Sequence, residues 1–486
     1  MVLVSPALLF PRGPLPLAGL AAILGLWLAR LAGYRRITLA TPLDLPMLLL
    51  LVMSLQALYP STDLALSMPK LYGIVLGVAV YYGVVNQVTD TRGWWIGVYA
   101  LLLAAVGVAA VGLVSTDWIT DKLPRGAALY ARIPRLVQSV QSSSGPIAGI
   151  QPNELGGTLA FLLPVAVGMV LWGVHPVSPS PRLPIVAAVS LLMAGPVLVL
   201  TQSRSSLLGF GVAVALLVGL RWRRLGFMIL AVVAAGGVAG SFAGREVVSR
   251  WLLQLDYVGD VSSKLANRQE IWGRALYMIQ DFPFTGIGLN SFGKVLFSLY
   301  PSASIGSIAD VPHAHNIYLQ TAVDLGLAGL MALAGICLAT LWLAIQGYRR
   351  AEGATKGAIA GLGAGLLAYM VYGMTDAITL GAKPLPLLWA IVGLIVVSYR
   401  LAGDGETGKH GERGRGDTET RGRGDSEPRT QNPEPISTQR SALSTQLRMV
   451  IVEIGKTLWT LYWTVTVLFA AIAYLVVGMA ITGWMP

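Results

Sequence analysis

Charge is what this sequence has least of for its length. Only 12% of its 486 residues are Asp, Glu, Lys or Arg, against ~25% in an ordinary soluble chain. With 55% hydrophobic residues and a mean hydropathy of +0.66, that shortage excludes a soluble globular protein and describes a polytopic membrane protein. Cysteine is nearly absent: Cys337 stands alone inside an apolar stretch, so no intrachain disulfide can form, the redox compartment cannot be inferred, and packing is the role its surroundings suit. No Walker motif occurs, so nucleotide-driven chemistry has no support. GIGLNSFG at 286–293 has only GxGxxxxG spacing with no preceding strand, and reads as a turn. The first ten residues are apolar but too short to span and are followed by no small-residue cleavage site. A re-entrant or interfacial start is therefore expected, not a removable leader. The net charge of +11 would suggest nucleic acid in a soluble domain; here membrane orientation accounts for most of it, and no nucleic-acid partner is expected.

What the sequence has in abundance is long apolar runs. A hydrocarbon core of ~30 Å takes about 20 residues of helix, and on that ruler about twelve spans fall near 14–32, 43–60, 69–88, 94–115, 154–174, 184–201, 205–220, 225–243, 316–346, 357–376, 385–402 and 450–482. The expected fold is all-α, a polytopic transmembrane helical bundle with a partly helical extracytoplasmic loop. Lys and Arg gather in the turns at Arg30, Arg35 and Arg36, at Arg221, Arg223 and Arg224, and at Arg349, Arg350 and Lys356. Cytoplasmic loops carry that excess, so the opposite set faces outward: 116–153, the turn Gln202–Arg204, the long segment 244–315, and the turn Asp376–Lys383. The chain then divides into N-terminal transmembrane helices (1–183), a core (184–402) with the large outer loop 244–315, a linker (403–448) and a C-terminal transmembrane helix (449–486). The linker repeats RGRGD and is rich in Gly, Ser, Pro and balanced charge, a composition expected to be disordered on the cytoplasmic side. His410 within it is assigned no role.

The candidate functional residues are those on the outward loops. Arg204 stands between two apolar runs on the face where cations are disfavoured, and a cation left in hydrocarbon costs ~2.5–3.5 kcal/mol even on the lenient scale. It either snorkels to lipid phosphates or lines a pocket; the hydroxyls of Ser203, Ser205 and Ser206 beside it favour the pocket. In the long loop, NRQEIWGRALYMIQDFP reads as a short amphipathic helix with Asn267 and Glu270 at capping-box spacing, an apolar face of Ile271, Trp272, Ala275, Leu276 and Ile279, and Pro283 as its stop. Arg268 would then sit in the first turn, where backbone N–H groups favour an anion; a solvated arginine is the alternative. His313 and His315 open the helix that follows. Two histidines at this spacing could begin a metal site, but no further ligands are apparent in the sequence, and none is expected. A buried structural histidine and a general base are the readings that remain. Arg125, Arg132 and Arg135 form a possible second basic patch.

Taken in order, these pieces resemble the O-antigen ligase and O-antigen polymerase superfamily over roughly residues 190–335. The residues that carry the resemblance are Ser203-Arg204; Arg268, Trp272, Asp281, Pro283, Gly286 and Gly288; His315-Asn316; and Asp324-Gly326, where the family more often has Glu at the first position. The resemblance implies a membrane glycosyltransferase of the lipid-carrier type, in the plasma (inner) membrane, with its site on the extracytoplasmic side. It would move a glycan from an undecaprenyl-diphosphate carrier to a lipid or glycan acceptor hydroxyl. His315 would be the general base, Arg204 and Arg268 a clamp on the diphosphate, and His313, Asn316, Ser203 and Ser205 substrate-binding. The chemistry would invert the anomeric carbon and need neither metal nor cofactor. A ligase-type enzyme is the favoured expectation; a polymerase joining repeat units is an alternative, and a multi-pass lipid or glycan transporter a second, against which no doubled hydropathy pattern is seen.

Overall fold

In hydrocarbon a chain must satisfy its own backbone N–H and C=O groups, and the helix does so within one segment. The apolar runs accordingly become helices in the structure, a computed structural model that describes residues 4–116, 150–173, 183–226, 258–301 and 311–416, with positions 118, 133, 141–142, 145–146 and 228. In chain order these are α1 (Ser5–Leu9), α2 (Leu15–Tyr34), α3 (Asp44–Gln56), α4 (Leu64–Gln87), α5 (Thr91–Ser115), α6 (Pro152–Trp172), α7 (Leu183–Leu200), α8 (Arg204–Arg221), α9 (Val258–Asp281), α10 (Phe292–Leu299), α11 (Ile317–Arg350), α12 (Gly353–Tyr372) and α13 (Leu385–Gly416). The strand content among the described residues is one two-residue antiparallel pair, Gln141–Ser142 with Gly145–Pro146. The fold is all-helical in substance, as expected.

Among the described residues, eight helices are long and apolar enough to cross a membrane: α2, α4, α5, α6, α8, α11, α12 and the Leu385–Ala402 part of α13; α3 and Pro184–Leu200 are shorter apolar helices. The expected spans 225–243 and 450–482 lie outside the described residues in whole or nearly so, as do Arg125, Arg132 and Arg135. Helix α13 runs on past the membrane-length stretch to Gly416, into the segment expected as a linker; residues from 417 onward are outside the described set.

Close helix packing positions the functional end of the bundle. Helices α6 and α12 run antiparallel with their backbones nearly touching: a Cβ on Gly168 would stand 2.2 Å from the Gly357 carbonyl oxygen, and one on Gly365 2.3 Å from that of Phe161. Small residues allow this approach where no hydrophobic force drives helices together in lipid. The result sets the start of α6 beside the end of α12, where the Tyr372 hydroxyl donates to the Asn153 carbonyl at 3.1 Å.

The segment between α8 and α11 departs from expectation. Helix α9 begins at Val258, not near Asn267, so Arg268 lies in mid-helix and not in an anion-favouring first turn. The stretch VSSKLA before Asn267 contains no breaker and continues the helix, while Glu270 pairs with Arg274 at 3.6 Å, one turn on, and so makes no capping box. The buried face is Ile271, Ala275 and Met278, with Leu276 turned outward at 50% exposure. Pro283 does follow the helix end. Together α9 and α10 cover the start of α11 through Phe292, Leu296, Ala314 and Val323.

Helix α11 is broken at Gly326 (φ 72°, ψ 179°), and the turn after Pro283 inserts into the break. Ile287 N–H donates to the Val323 carbonyl and Leu327 N–H to that of Pro283, both at 2.8 Å. Gly286 and Gly326 both have positive φ, and a Cβ on either would come within 2.6 Å of the facing backbone. The turn Pro283–Ile287 is thus a plug that holds the segment carrying α9 and α10 against the bundle; the stretch expected as a turn at 286–293 is one up to Ser291 and enters helix α10 at Phe292.

Candidate active site

The approach of α6 to α12 and the capping of α11 converge on one carboxylate, Asp376, in the turn after α12. Its side chain is 4% exposed. One oxygen, Oδ1, accepts from the Ala377 N–H at 2.9 Å and lies 3.2 Å from His315 Nδ1. The other, Oδ2, accepts from Asn153 Nδ2 at 2.8 Å and faces Arg268 Nη2 at 3.8 Å. Three distant segments, the middle of α9, the turn before α11 and the start of α6, therefore meet on a single acid. Burial pushes that acid's pKa up, but the hydrogen bond and charge of His315 outweigh it and hold the carboxyl below its ordinary value.

His315 is placed by backbone strain and by its neighbours. It has φ 48°, in the left-handed region that non-glycine residues seldom adopt and that clusters at functional sites. The next residue, Asn316, caps α11: its Oδ1 accepts from Tyr318 N–H at 2.9 Å and Leu319 N–H at 3.0 Å, and its Nδ2 donates to the Met374 carbonyl at 2.9 Å. Ile317 N–H donates to the Gly373 carbonyl at 2.8 Å. Those bonds tie the histidine's turn to the Asp376 turn. On the other side the Trp272 indole N–H donates to the Ala314 carbonyl at 2.9 Å, and Gln320 Oε1 accepts from the Ala314 N–H at 2.7 Å.

With Asp376 ionised, the 3.2 Å contact fixes the His315 proton on Nδ1 and leaves Nε2 to accept one, the logic by which a carboxylate orients a general base. His313 differs. Its Nδ1 accepts from the His315 backbone N–H at 3.2 Å, and burial, then the charge of His315, lower its pKa to about 4. It is a neutral imidazole with an N–H at Nε2 to donate. Ligand atoms of His313, His315 and Asp376 lie within 4.8 Å of one another and could collect a metal ion. Asp376 is thus a third candidate ligand beyond the two histidines; Arg268 and Asn153 occupy its Oδ2, and the Ala377 N–H and His315 Nδ1 its Oδ1, so a dication there would have to displace one of these partners.

The remaining expected residues lie on the same end of the bundle. Ser205 accepts a hydrogen bond from the Thr375 hydroxyl at 2.8 Å, which puts the start of α8 beside the Asp376 turn. Ser203 accepts from Ser206 at 2.8 Å, and both are buried. Arg204, the first residue of α8, is exposed. Three of the loops expected to face outward thus supply residues to one cluster, Asn153, Arg268 with His315, and Asp376, and Ser205, just past the fourth, touches the Asp376 turn through Thr375.

This cluster can remove a proton from a hydroxyl and neutralise an anion beside it, and the sequence around it now has a counterpart. Residues 188–334 match the O-antigen ligase family model. Over that stretch the chain is similar to a membrane glycan-transferring ligase and polymerase superfamily. No curated protein matches the chain. The O-antigen ligase-like stretch includes Arg204, Arg268, His313 and His315 but ends before Asp376, and it begins after Asn153. The matched stretch thus includes both histidines and both arginines, while Asp376, which faces His315 and Arg268, lies outside it. Sequence reasoning placed Asp376 in an outward turn without assigning it a role. Its signal was an acid on the same face as the histidine, with no spacing to join the two.

Proposed function

We propose that this protein transfers a glycan from an undecaprenyl-diphosphate carrier to an acceptor hydroxyl at the outer face of the plasma membrane, as a ligase-type enzyme. The observation that carries the reading is the contact of His315 Nδ1 with the buried Asp376, with Arg268 beside the same carboxylate. The acceptor hydroxyl gives its proton to His315 Nε2 as its oxygen attacks the anomeric carbon. The bond from that carbon to the carrier phosphate breaks, and its electron pair leaves on the diphosphate. Attack opposite the leaving group inverts the anomeric configuration. Arg268, and Arg204 at the positive end of α8, offset the charge that develops on the leaving oxygen, where charge-assisted hydrogen bonds of ~1.5–3 kcal/mol act best. His313 donates from Nε2 to a glycan oxygen, and Ser205 holds the arginine's helix against the Asp376 turn. The donor carries its own activation, so the residue set calls for no nucleotide and no metal.

Transfer by purified protein in nanodiscs, supplied with carrier-linked oligosaccharide and an acceptor, tests this. His315→Ala should abolish product and Arg268→Ala should lower it at least ~10-fold. A single addition to a non-carrier acceptor supports the ligase, and a ladder on the carrier indicates the polymerase, which uses the same chemistry. Wild-type protein that binds the carrier but forms no product would favour transport.

A further inference from the structure

Lys70 is a charged group that this chemistry leaves without a role. It lies in α4, about two turns past the Asp63 cap, inside a helix long and apolar enough to span. An ionisable group there marks a partner, a substrate path or a cavity by default. Its ammonium donates to the Thr379 hydroxyl, a neutral group in the same turn as Asp376. Among the described residues no carboxylate is in ion-pair contact with it; Asp324 and Glu154 act on it from further off, opposed by Lys383. Its charge also reaches His313.

Backbone packing, and not a long flexible side chain, sets where Lys70 sits. A Cβ on Gly73 would stand 2.1 Å from the Gly381 carbonyl oxygen, and one on Gly381 2.2 Å from that of Lys70. Helix α4 is therefore in main-chain contact with the turn that carries Asp376 and Thr379. The charges around the site are Lys70, Lys383 and Arg268, with Arg204 at the start of α8, against Asp376, Asp324 and Glu154, and the anion of a diphosphate entering it calls on cations that do not already face a carboxylate. Arg268 faces Asp376, whereas Lys70 rests on a hydroxyl.

We propose that Lys70 binds an anionic oxygen of the carrier diphosphate, as a third cation of the site beside Arg268 and Arg204. This rests on the transfer reading above, and the test separates the two. Binding of farnesyl diphosphate, farnesol and inorganic pyrophosphate would be measured on the full-length protein in nanodiscs, for wild type, Lys70→Met, Lys70→Arg and Thr379→Val. Losing one charge-assisted contact should weaken farnesyl diphosphate and pyrophosphate at least ~10-fold in Lys70→Met while leaving farnesol unchanged. Lys70→Arg should restore most of the affinity, and Thr379→Val, which keeps the charge and removes its anchor, should cost about threefold. Lys70→Met that binds diphosphate as wild type does, or that loses farnesol equally, overturns the proposal. Should Lys70→Met fail to fold, Thr379→Val with unchanged diphosphate affinity overturns it instead. Wild-type protein that binds neither diphosphate nor pyrophosphate defeats the transfer reading itself.

Discussion

At the scale of single residues, the proposed chemistry rests on the contact between Asp376 and His315. Asp376→Asn keeps the shape and removes the charge that fixes the His315 tautomer and steadies the imidazolium. Transfer should fall at least ~100-fold, with donor binding retained, measured as kcat against KM in the nanodisc assay. His313 gives a prediction on stability. Its folded pKa of about 4 lies below the unfolded ~6.5, so between those values the unfolded chain binds the extra proton, and acid removes stability. Over that window the loss from this group is at most ~3 kcal/mol. The melting temperature of His313→Gln should fall less than that of wild type between pH 6.5 and 4; equal slopes would refute the assignment. Histidine and arginine were legible from residue type and from the outward face. Asp376 was not, because it reaches His315 across 61 residues, and one acid in a turn has no pattern.

At the scale of elements, the O-antigen ligase-like segment works by tying loops to helix ends. Trp272→Phe keeps an aromatic side chain but loses part of the packed ring and the hydrogen bond to the Ala314 carbonyl, between the two histidines. Stability should drop by ~2 kcal/mol, whereas kcat should fall more than that loss explains, because the turn that holds His315 loosens. Gly326→Ala is the opposite case. A Cβ there would meet the Phe284 carbonyl at 2.6 Å in a backbone conformation that disfavours side chains, so the plug at Pro283–Ile287 should be expelled, with a cost of ~3 kcal/mol or more, seen as lost expression or a lower melting temperature. The helices themselves were readable from apolar run length, because length in hydrocarbon is set by bilayer thickness. The start of α9 was misread, since Asn267 and Glu270 had capping-box spacing but no break in helical sequence before them. Spacing without a breaker does not begin a helix.

At the scale of the whole molecule, the four loops that positive-charge bias assigns to one side do come together at one end of the bundle. Labelling in intact cells tests which side that is. In a Cys337→Ser background, Phe284→Cys, exposed at the site end, should react with an impermeant maleimide added outside. Glu352→Cys, in the short turn between α11 and α12, should react only after permeabilisation. The reverse pattern would invert the topology and remove the outer-face donor from consideration. Charge bias could give the side of each loop, but not which loop residues touch; that depended on the glycine contacts between α6 and α12, which no periodicity announces.

The scattering of the site along the chain also bears on how the protein is made. When a ribosome has finished residue 334, the histidine and both arginines exist, yet Asp376 is still unsynthesised. Under the proposed chemistry a nascent chain halted there lacks the acid beside His315, and activity would begin only once α12 has entered the bilayer and folded back on α6. Translation products released after Arg350 should therefore integrate into membranes and transfer nothing, so that an interrupted synthesis leaves the cell with an idle fragment and not with a transferase lacking the tail of its fold.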